Sequence, residues 1–323
     1  IGIGSVTVVP EQEKPNGNFP TAPYPNPEIR QAFECALKLA QSIKPDLLIA
    51  TDPDCDRVGI AVKDGSDYTL LSGNDVGALL LDFVLARRKE SGTLPKDPLA
   101  VKTIVTTEIC RKIAADYGCE LRDVLTGFKF IGEQITNLEK AGEENRFVFG
   151  FEESYGYLGG TYVRDKDAVI ASMLICEMVA YYKAEGKTLL DVLDGIYKKY
   201  GYYLCSQKSF VCEGESGMNH IKEIMENLRS DCPSDINGHA VVRFDDYENS
   251  ESRNIKDGGV TKIALPRSNV AAFYMNDGSS LIVRPSGTEP KIKLYLGSVG
   301  NTRETAQKEL SALESAGTKI LGF

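Results

Sequence analysis

Short apolar runs alternate with amphipathic segments along the first part of the chain. The runs at 47–50, 58–62, 100–105 and 147–151 have the length of buried strands and are rich in branched or aromatic side chains. Between them, apolar residues recur at the three- and four-residue spacing of helices that bury one face. This alternation predicts an α/β layer fold with mixed or mostly parallel sheets.

Several of the amphipathic segments carry recognisable helix ends. The segment 28–44 begins with Glu28, whose negative charge is favourable in a first helical turn, and prolines border the segment on both sides. Ser72 is expected to cap the next helix, and Gly118 is expected to end a later one in the left-handed conformation. A further helix is predicted over 168–182.

From residue 201 onward the pattern changes to several strands and few helices. A helix over 219–228 and another over 302–316 enclose the strand-forming part. Strands are predicted at 240–244, 270–275, 280–284 and 291–296. The residues 276–278 (Asn-Asp-Gly) lie between two of these strands and are a strong hairpin signal. The last segment is therefore predicted to be an α+β domain.

A chain of 323 residues is long for one hydrophobic core and long enough for two or three domains. We predict an α/β domain end over 1–70, a complete α/β domain over 71–200 and the α+β domain over 201–323. The chain starts at Ile1 rather than methionine, and a strand is expected at once, over 6–9. We therefore expect part of a longer protein, with its first α/β domain incomplete.

Composition narrows the classes of function. Hydrophobic residues make up 42% and charged residues 26% of the chain, as in globular proteins. The net charge of −9 argues against a nucleic-acid partner, because nucleic-acid affinity comes mainly from phosphate neutralisation by basic side chains. No apolar run reaches the roughly 20 residues of a membrane span, so no membrane partner is expected. The eight cysteines lack C-x-x-C spacing, which favours free thiols and a cytoplasmic location.

The sharpest local signal is the segment 51–57, with the sequence TDPDCDR. Asp52, Asp54 and Asp56 occupy alternate positions after a predicted strand, so an extended backbone would direct them to one side. Three like charges on one side repel one another unless a cation lies among them, and hard carboxylate oxygens suit Mg²⁺. The segment is therefore a candidate Mg²⁺ site, with a solvated acidic turn as the alternative.

Two other known loops resemble this segment in part. An EF-hand loop needs Gly at its sixth position and Glu at its twelfth, where this chain has Arg57 and Lys63, so that interpretation fails. A phosphatase with an aspartyl nucleophile uses a D-x-D-x-T/V motif after a strand, and residues 54–58 fit it with Asp54 as nucleophile. Residues 52–53 then separate the strand from the nucleophile, so the phosphatase is the second choice.

The segment 284–291, with the sequence RPSGTEPK, lies between two predicted strands. It combines an arginine fork, two hydroxyls, a glycine that permits close backbone approach and a lysine. Such a group suits a phosphate dianion, which accepts charge-assisted and backbone hydrogen bonds. An ordinary turn between strands is the alternative.

A third segment, 150–156 with the sequence GFEESYG, directly follows a predicted strand. Two carboxylates and a hydroxyl on a glycine-bounded loop are suitable partners for neighbouring sugar hydroxyls, and a solvated loop is the alternative. Two further predicted loops, 126–130 and 164–167, each offer a cation. His220 and His239 lie outside all of these segments and are expected to be structural or surface residues.

The order of these motifs closely resembles the α-D-phosphohexomutases, the phosphoglucomutase and phosphomannomutase group. The shared motifs are D-P-D-x-D-R, T-G-F-K, G-x-E-E-S, D-K-D and R-P-S-G-T-E-P. The resemblance covers essentially the whole chain. It implies four domains around a deep cleft, of which this chain would hold the end of the second, the third and the fourth.

The resemblance also implies roles for individual residues. Arg57 and Lys166 would be catalytic, with the arginine beside the reacting phosphate. The residues implied to bind the sugar are Lys129, Glu152 and Ser154. The residues implied to hold the phosphate that does not react are Arg284, Ser286, Gly287 and Thr288. The three aspartates of the segment 51–57 would be the Mg²⁺ ligands.

The implied activity interconverts hexose 1-phosphate and hexose 6-phosphate, of glucose or mannose, through a phosphoserine and a hexose 1,6-bisphosphate. The family's serine lies in a T-A-S-H-N-P-type segment, which this sequence lacks, so the isolated chain is expected to be inactive. A phosphopentomutase or a sugar-bisphosphate synthase of the same family is an alternative. Outside that family, the phosphatase and a non-catalytic sugar-phosphate-binding module remain open.

Overall fold

The computed structural model describes residues 3–212, 214–287 and 289–323. The chain forms two compact units, Ile1–Ile196 and Tyr197–Phe323. Helices and sheets occur in both, which confirms the predicted α/β class. The division into three domains stays a prediction. In the described part of the chain, no helix has the length and the hydrophobicity needed to cross a bilayer.

The first sheet consists of strands β1 (Leu47–Thr51), β2 (Val58–Asp64) and β3 (Asp67–Leu70). Both of its pairings are antiparallel. Only residues 52–57 connect β1 to β2, whereas a parallel pairing would need a crossover of roughly a dozen residues or more. The parallel pairing that the alternating pattern favours is therefore not found in this sheet.

The segment before the first sheet differs from the prediction in two places. Helix α1 (Glu34–Ile43) follows a 3-10 turn over Arg30–Phe33, and Glu28 lies outside both, so it does not occupy a first helical turn. Residues 6–9 form no strand, because no described strand lies beside them to pair with their backbone groups, and Val6 is 79% exposed. The buried cluster that joins this segment to the sheet consists of Phe33, Ala40, Leu48, Ala61 and Tyr68.

The second sheet has the strand order β5-β4-β6-β7. Strand β4 (Leu99–Thr103) is parallel to β5 (Glu120–Val124) on one side and to β6 (Phe147–Glu152) on the other. Strand β7 (Gly156–Leu158) is antiparallel to β6. After β4 the chain therefore turns first to one side of that strand and then to the other. In parallel sheets such a switch point marks the carboxyl edge at which ligands bind.

Helices flank these strands, and two predicted helix ends are confirmed. The helices described in this part of the chain are α2 (Gly73–Glu90), α3 (Ile109–Asp116), α4 (Lys129–Ala141), α5 (Ala168–Ala184) and α6 (Leu189–Tyr200), with short 3-10 turns at Pro10–Gln12 and Glu144–Arg146. Ser72 caps α2 through reciprocal bonds with Asp75. Gly118, shortly after α3, has a φ of 62°, the left-handed conformation expected of it.

Helix α4 was not predicted, because Gly127 precedes it and Gly132 weakens the helical signal of its first turn. The second glycine is required by packing. A Cβ at that position would lie 2.4 Å from the backbone oxygen of Arg164, which crosses the helix closely. Lys129, expected on a loop, is instead the first residue of the helix.

The second unit contains an antiparallel sheet with the order β12-β11-β10-β13-β14-β15-β8, and β9 pairs with β10 outside this path. Its described strands are β8 (Tyr202–Val211), β9 (Asp235–Ile236), β10 (His239–Asp246), β11 (Glu251–Asn254), β12 (Val260–Lys262), β13 (Ala271–Met275), β14 (Ser280–Pro285) and β15 (Lys291–Gly300). Its described helices are α7 (Gly214–Ser230) and α8 (Arg303–Ile320). The predicted hairpin is confirmed, since β13 pairs with β14 and Gly278 has a φ of 91°. Strands β8, β9, β11 and β12 were not predicted.

A group of four charged side chains lies at the carboxyl ends of β4 and β5. Lys102 is fully buried, and its Nζ lies 2.7 Å from Glu108 Oε1 and 3.0 Å from Asp123 Oδ1. Arg111 contacts the same two carboxylates at 2.9 and 2.5 Å. Burial alone would raise the pKa of Glu108, but the charges and hydrogen bonds of Lys102 and Arg111 lower it from 4.5 to about 2. Glu108 is therefore ionised at neutral pH and pairs with a buried ammonium group.

Replacing Lys102 by Met should lower the free energy of unfolding by roughly 3 kcal/mol, because two partly exposed carboxylates then lose their buried partner. Urea unfolding followed by circular dichroism measures the loss, with Lys112→Met on the exposed face of α3 as the matched control. The stabilisation from Glu108 is present above its usual pKa of 4.5 and declines as the pH falls toward about 2. The loss should therefore shrink in acid, and a loss independent of pH would contradict this account.

Candidate functional site

The loop between β1 and β2 brings three carboxylates together. Asp52, Asp54 and Asp56 each offer an oxygen, and these oxygens all lie within 4.8 Å of one another. Asp52 Oδ1 accepts hydrogen bonds from the backbone N–H groups of Asp56 at 3.0 Å and Arg57 at 2.9 Å. The backbone of the loop therefore folds back toward the carboxylate of Asp52. Cys55, with a φ of 58°, makes the turn. The three oxygens are therefore arranged by the backbone of the loop itself.

Burial and one neighbouring carboxylate both act on the titration of Asp52. The pKa of Asp52 is raised above its usual 3.8, chiefly by burial and also by the neighbouring carboxylate of Asp56. The backbone hydrogen bonds from Arg57 and Asp56 act in the opposite direction but do not cancel the effect. A cation bound among the three oxygens would favour the ionised form of each of them.

Lys166 supplies one positive charge at this loop. Its Nζ lies 2.8 Å from Asp56 Oδ2 and 2.9 Å from Asp165 Oδ1. Burial would lower the pKa of Lys166, but hydrogen bonds to Asp56 and Asp165 and the charge of Glu152 raise it overall. The side chain is therefore an ammonium ion at neutral pH and acts here as a positive charge rather than a base.

Arg57 supplies the second positive charge. Its Nη1 lies 3.2 Å from Glu28 Oε1, which holds the guanidinium from a segment far away in sequence. Its Nε lies 3.8 Å from Asp52 Oδ2 and 3.7 Å from Asp56 Oδ1. This Nε is buried and has no hydrogen-bond partner within the described part of the chain. The guanidinium therefore faces the carboxylates of Asp52 and Asp56 without forming a hydrogen bond through Nε to either of them.

The loop 152–156 is attached to the aspartate loop by backbone contacts. The N–H of Val58 donates to the oxygen of Tyr155 at 3.1 Å, and Arg57 forms an isolated antiparallel bridge with Gly156. A Cβ at Gly156 would lie 2.2 Å from Cδ of Lys166, so only glycine lets this lysine side chain pass. The sequence between β6 and β7 thus shapes the path of Lys166 to the carboxylates.

Glu152, the last residue of β6, is a buried carboxyl group at this loop. Burial and the charge of Glu153 raise its pKa from 4.5 to about 7. The charges of Lys166 and Arg57 and a hydrogen bond with Ser154 act against that rise. Near neutral pH the group can therefore either donate or accept a hydrogen bond, as recognition of a sugar hydroxyl requires.

The segment after β5 reaches the same carboxyl edge of the sheet. Phe128 lies under Lys166, whose Nζ is 5.6 Å from the centre of the phenyl ring. Lys129 is exposed, and its Nζ lies 4.9 Å from the ring centre of Phe130. The structure therefore brings Lys166 to the aspartates, whereas none of the contacts described for Lys129 connects it to them.

The candidate phosphate loop lies in the second unit, between β14 and β15. Arg284 is in the last part of β14, opposite Lys293. Ser286 donates its backbone N–H to the oxygen of Lys291 at 2.8 Å, which closes the loop. A Cβ on Gly287 would meet nothing within 4 Å, so the space above this residue is open. Thr288, which the sequence also placed in this site, lies outside the described residues.

A second mixed cluster lies in the second unit, at His239, Asp277 and Glu309. The ring Nδ1 lies 3.6 Å from Asp277 Oδ2, and Nε2 lies 3.0 Å from Glu309 Oε1. The 3.0 Å contact is short enough for a hydrogen bond, whereas the 3.6 Å contact is not. The three side chains contact one another, and we assign no metal to this cluster.

Known family models match most of the chain. Residues 1–65 match the model described as phosphoglucomutase/phosphomannomutase, alpha/beta/alpha domain II, and residues 72–200 match alpha/beta/alpha domain III of the same description. Residues 225–311 match the phosphoglucomutase/phosphomannomutase C-terminal domain. The chain belongs to the α-D-phosphohexomutase family.

Curated relatives of this family align with nearly all of the chain. The phosphoglucomutase of Staphylococcus aureus strain USA300 is 39% identical over 310 residues, which are 95% of this chain and 55% of the relative. The phosphoglucomutase of Staphylococcus epidermidis strain ATCC 35984 is 38% identical over 298 residues, which are 92% and 53% of the two chains. The phosphohexomutase chain thus spans about half the length of the curated relatives it matches.

Solved structures show the same fold. The phosphoglucomutase parafusin from Paramecium, in an open form, has a TM-score of 0.64 at 20% identity, covering 92% of this chain and 50% of its own. A phosphoglucomutase/phosphomannomutase family protein from Burkholderia thailandensis has a TM-score of 0.62 at 15% identity, covering 95% and 52%. At these identities the likeness concerns the fold of the phosphohexomutase chain.

Three groups near the candidate residues were missed in the sequence. Glu28 was assigned to a helix, but it pairs with Arg57, 29 positions away. Thr103 and Thr106 lie against Glu153, about 50 positions away in sequence. Hydrophobic periodicity reports which face of an element is buried, so it carries no signal for these polar contacts between distant segments.

Replacing Glu152 by Gln should change how stability depends on pH. A carboxyl group whose folded pKa is raised to about 7 costs stability as the pH rises from 4.5 to about 7. The glutamine variant avoids that loss, so it should gain up to roughly 3 kcal/mol over the wild type at about pH 8 and nothing below about pH 4.5. Urea unfolding of both proteins across this range measures the difference.

The control for this experiment is Glu133→Gln, because Glu133 is an exposed carboxylate on α4. This control should follow the wild-type dependence on pH. If Glu152→Gln also follows the wild type throughout, the carboxyl group is not held in the protonated form that its burial favours.

Proposed function

We propose that this chain supplies the metal-binding, sugar-binding and phosphate-binding parts of a phosphohexomutase. The reaction would interconvert a hexose 1-phosphate and a hexose 6-phosphate through a phosphoserine and a hexose 1,6-bisphosphate. The observation that carries the proposal is the meeting of three aspartates with two cations and the buried carboxyl group of the loop 152–156 in one unit. Relatives named phosphoglucomutase support it.

The aspartate loop is the proposed Mg²⁺ site. Three carboxylate oxygens within 4.8 Å of one another are the hard ligands that Mg²⁺ prefers, and they leave positions for water and a phosphate oxygen. The raised pKa of Asp52 fits this assignment, because a cation would relieve the repulsion that the protein leaves. When bound, Mg²⁺ would offset negative charge on a transferred phosphoryl group. On metal binding, the carboxylate of Asp56 would bind the metal and its contact with Lys166 would weaken.

Arg57 and Lys166 are the proposed catalytic cations. Among the residues that the structure describes, the buried Nε of Arg57 has no hydrogen-bond acceptor, and a phosphoryl oxygen beside the aspartates would provide one. Lys166 is held as an ammonium ion by Asp56 and Asp165. Both residues therefore suit stabilisation of a charged transition state by groups that are already in place.

Sugar recognition is assigned to Glu152 and Ser154, with Lys129 as a further candidate. The two loop residues are linked by a hydrogen bond that a sugar hydroxyl could share. Lys129 is exposed and free of ion pairs described here, so its long side chain is available to a ligand. Glucose and mannose phosphates are the proposed substrates.

The loop after β14 is the proposed binding site for the phosphate that does not react. Arg284 offers a guanidinium fork, and Gly287 has open space above it where the backbone can approach an anion. Ser286, which precedes Gly287 in sequence, adds a hydroxyl group. Thr288 belongs to the same proposal on the ground of the family motif.

We expect no turnover of glucose 1-phosphate by this chain alone, since the sequence lacks the family's serine segment and binding groups cannot replace a covalent nucleophile. A coupled assay with Mg²⁺ and glucose 1,6-bisphosphate tests this expectation. Activity that appears only after adding a polypeptide with the phosphoserine segment of a phosphoglucomutase would support the proposal. Full turnover by the chain alone would contradict our assignment of the nucleophile.

Asp54→Ala should abolish Mg²⁺ binding without unfolding the chain, because Asp54 is exposed and only its ligand oxygen is lost. Titration calorimetry with Mg²⁺ measures the binding, and thermal unfolding checks the fold. The matched control is Asp97→Ala, an exposed aspartate of the same unit. Retained affinity in Asp54→Ala would remove the aspartate loop as the metal site.

Arg284→Lys should weaken binding of glucose 1-phosphate roughly tenfold, because the charge remains while the bidentate fork is lost. Arg267→Lys, an exposed position of the second unit, serves as the control. Calorimetric titration of the three proteins gives the affinities. Equal affinity in wild type and Arg284→Lys would count against the phosphate loop.

A further inference from the structure

We propose that Thr103 and Thr106 are positioning residues for the loop 152–156, and that Lys102 fixes the turn that carries them. The proposal rests on the proposed function, since it concerns how that loop is held for sugar binding. It assigns to Glu153 the role of an anchor rather than a sugar ligand.

A short chain of hydroxyl groups reaches from the end of β4 to the loop. Thr103 Oγ1 donates to Glu153 Oε2 at 3.0 Å and lies 2.7 Å from Thr106 Oγ1. Thr106 Oγ1 lies 3.5 Å from the same carboxylate oxygen, at the limit of a hydrogen bond. These distances favour a chain in which Thr106 donates to Thr103 and Thr103 donates to Glu153. Both threonines are buried, so water does not compete for these bonds.

Lys102 fixes the turn from which both hydroxyls project. Its Nζ donates to the backbone oxygen of Thr106 at 3.1 Å and approaches that of Thr103 at 3.3 Å, in addition to its two ion pairs. The N–H of Thr107 donates to Asn74 Oδ1 at 2.9 Å, which ties the same turn to the start of α2. Because the ammonium group of Lys102 is buried, it cannot exchange these two backbone oxygens for water. The backbone that carries the hydroxyl groups of Thr103 and Thr106 is therefore held in place.

The backbone of the loop is held at the same residue. A Cβ on Gly73 would lie 2.0 Å from the oxygen of Glu153, so the first turn of α2 contacts the loop directly. Tyr157 Oη donates to the oxygen of Gly73 at 3.2 Å, just beyond the loop. Glu153 is therefore held both by its side chain and by its backbone. Because Glu152 and Ser154 are bonded to Glu153 on either side, this anchoring also limits their positions.

The test compares Thr103→Val, Thr106→Val and Thr103→Ser in the full chain. Valine keeps the shape of threonine and removes the hydroxyl group, whereas serine keeps the hydroxyl group. The matched control is Thr69→Val, which removes a 2.8 Å hydroxyl bond to Asp64 in the β2–β3 hairpin.

Hydrogen exchange of the peptide that covers 152–156 tests the positioning directly. We expect faster exchange in Thr103→Val, a smaller increase in Thr106→Val, and wild-type exchange in Thr103→Ser and Thr69→Val. Wild-type exchange in both site valine variants would overturn the proposal. If Thr103→Val does not fold, Thr106→Val decides the question alone.

Calorimetric titration with glucose 1-phosphate and with inorganic phosphate tests the consequence. Thr103→Val should bind glucose 1-phosphate roughly tenfold more weakly and inorganic phosphate unchanged, because the phosphate loop belongs to the second unit. Equal losses for both ligands would indicate a general defect and overturn the proposal. A wild-type chain that binds neither ligand would contradict the proposed function, and hydrogen exchange would still decide the positioning.

Discussion

The mutual repulsion of three carboxylates is the constraint around which the first unit is arranged. Asp52, Asp54 and Asp56 hold oxygens within 4.8 Å of one another, in a loop too short to separate them. Arg57, Lys166 and two backbone N–H groups face these oxygens. The pKa of Asp52 is nevertheless raised, by burial first and by Asp56 as well, so these groups do not cancel the effects of burial and of the neighbouring carboxylate. A divalent cation fits the charge that remains.

Backbone contacts to this loop fix the groups that act with it. The oxygen of Cys55 accepts the N–H of Ala168 at 3.1 Å, which ties the start of α5, and with it Lys166, to the aspartates. Val58 and Tyr155 join the first sheet to the loop after β6. Under the proposed function, phosphoryl transfer would rely on groups that are positioned before the reaction begins, and these links would supply that order in the first unit.

The aspartate cluster follows from the local sequence, whereas the contacts between distant segments do not. Strands on both sides of residues 51–57 and alternate aspartates were enough to predict a cluster of carboxylates at a strand end. The Arg57 partner Glu28 was assigned to a helix instead, because only the tertiary fold brings the two together. Helix α4 was missed because Gly132, required by the close approach of Arg164, weakens the helical pattern. Contacts between distant segments decide such positions, and no periodicity within one segment records them.

The central claim is that the aspartate loop of this chain binds one metal cation in addition to the positive charges of Arg57 and Lys166. Anomalous diffraction from crystals grown with Mn²⁺, an ion that also prefers oxygen ligands, tests it most directly. We predict one strong peak bound by Asp52, Asp54 and Asp56, with Lys166 Nζ farther from Asp56 Oδ2 than its present 2.8 Å. Absence of a peak at these three carboxylates at saturating Mn²⁺, with the Lys166 contact unchanged, would contradict the account.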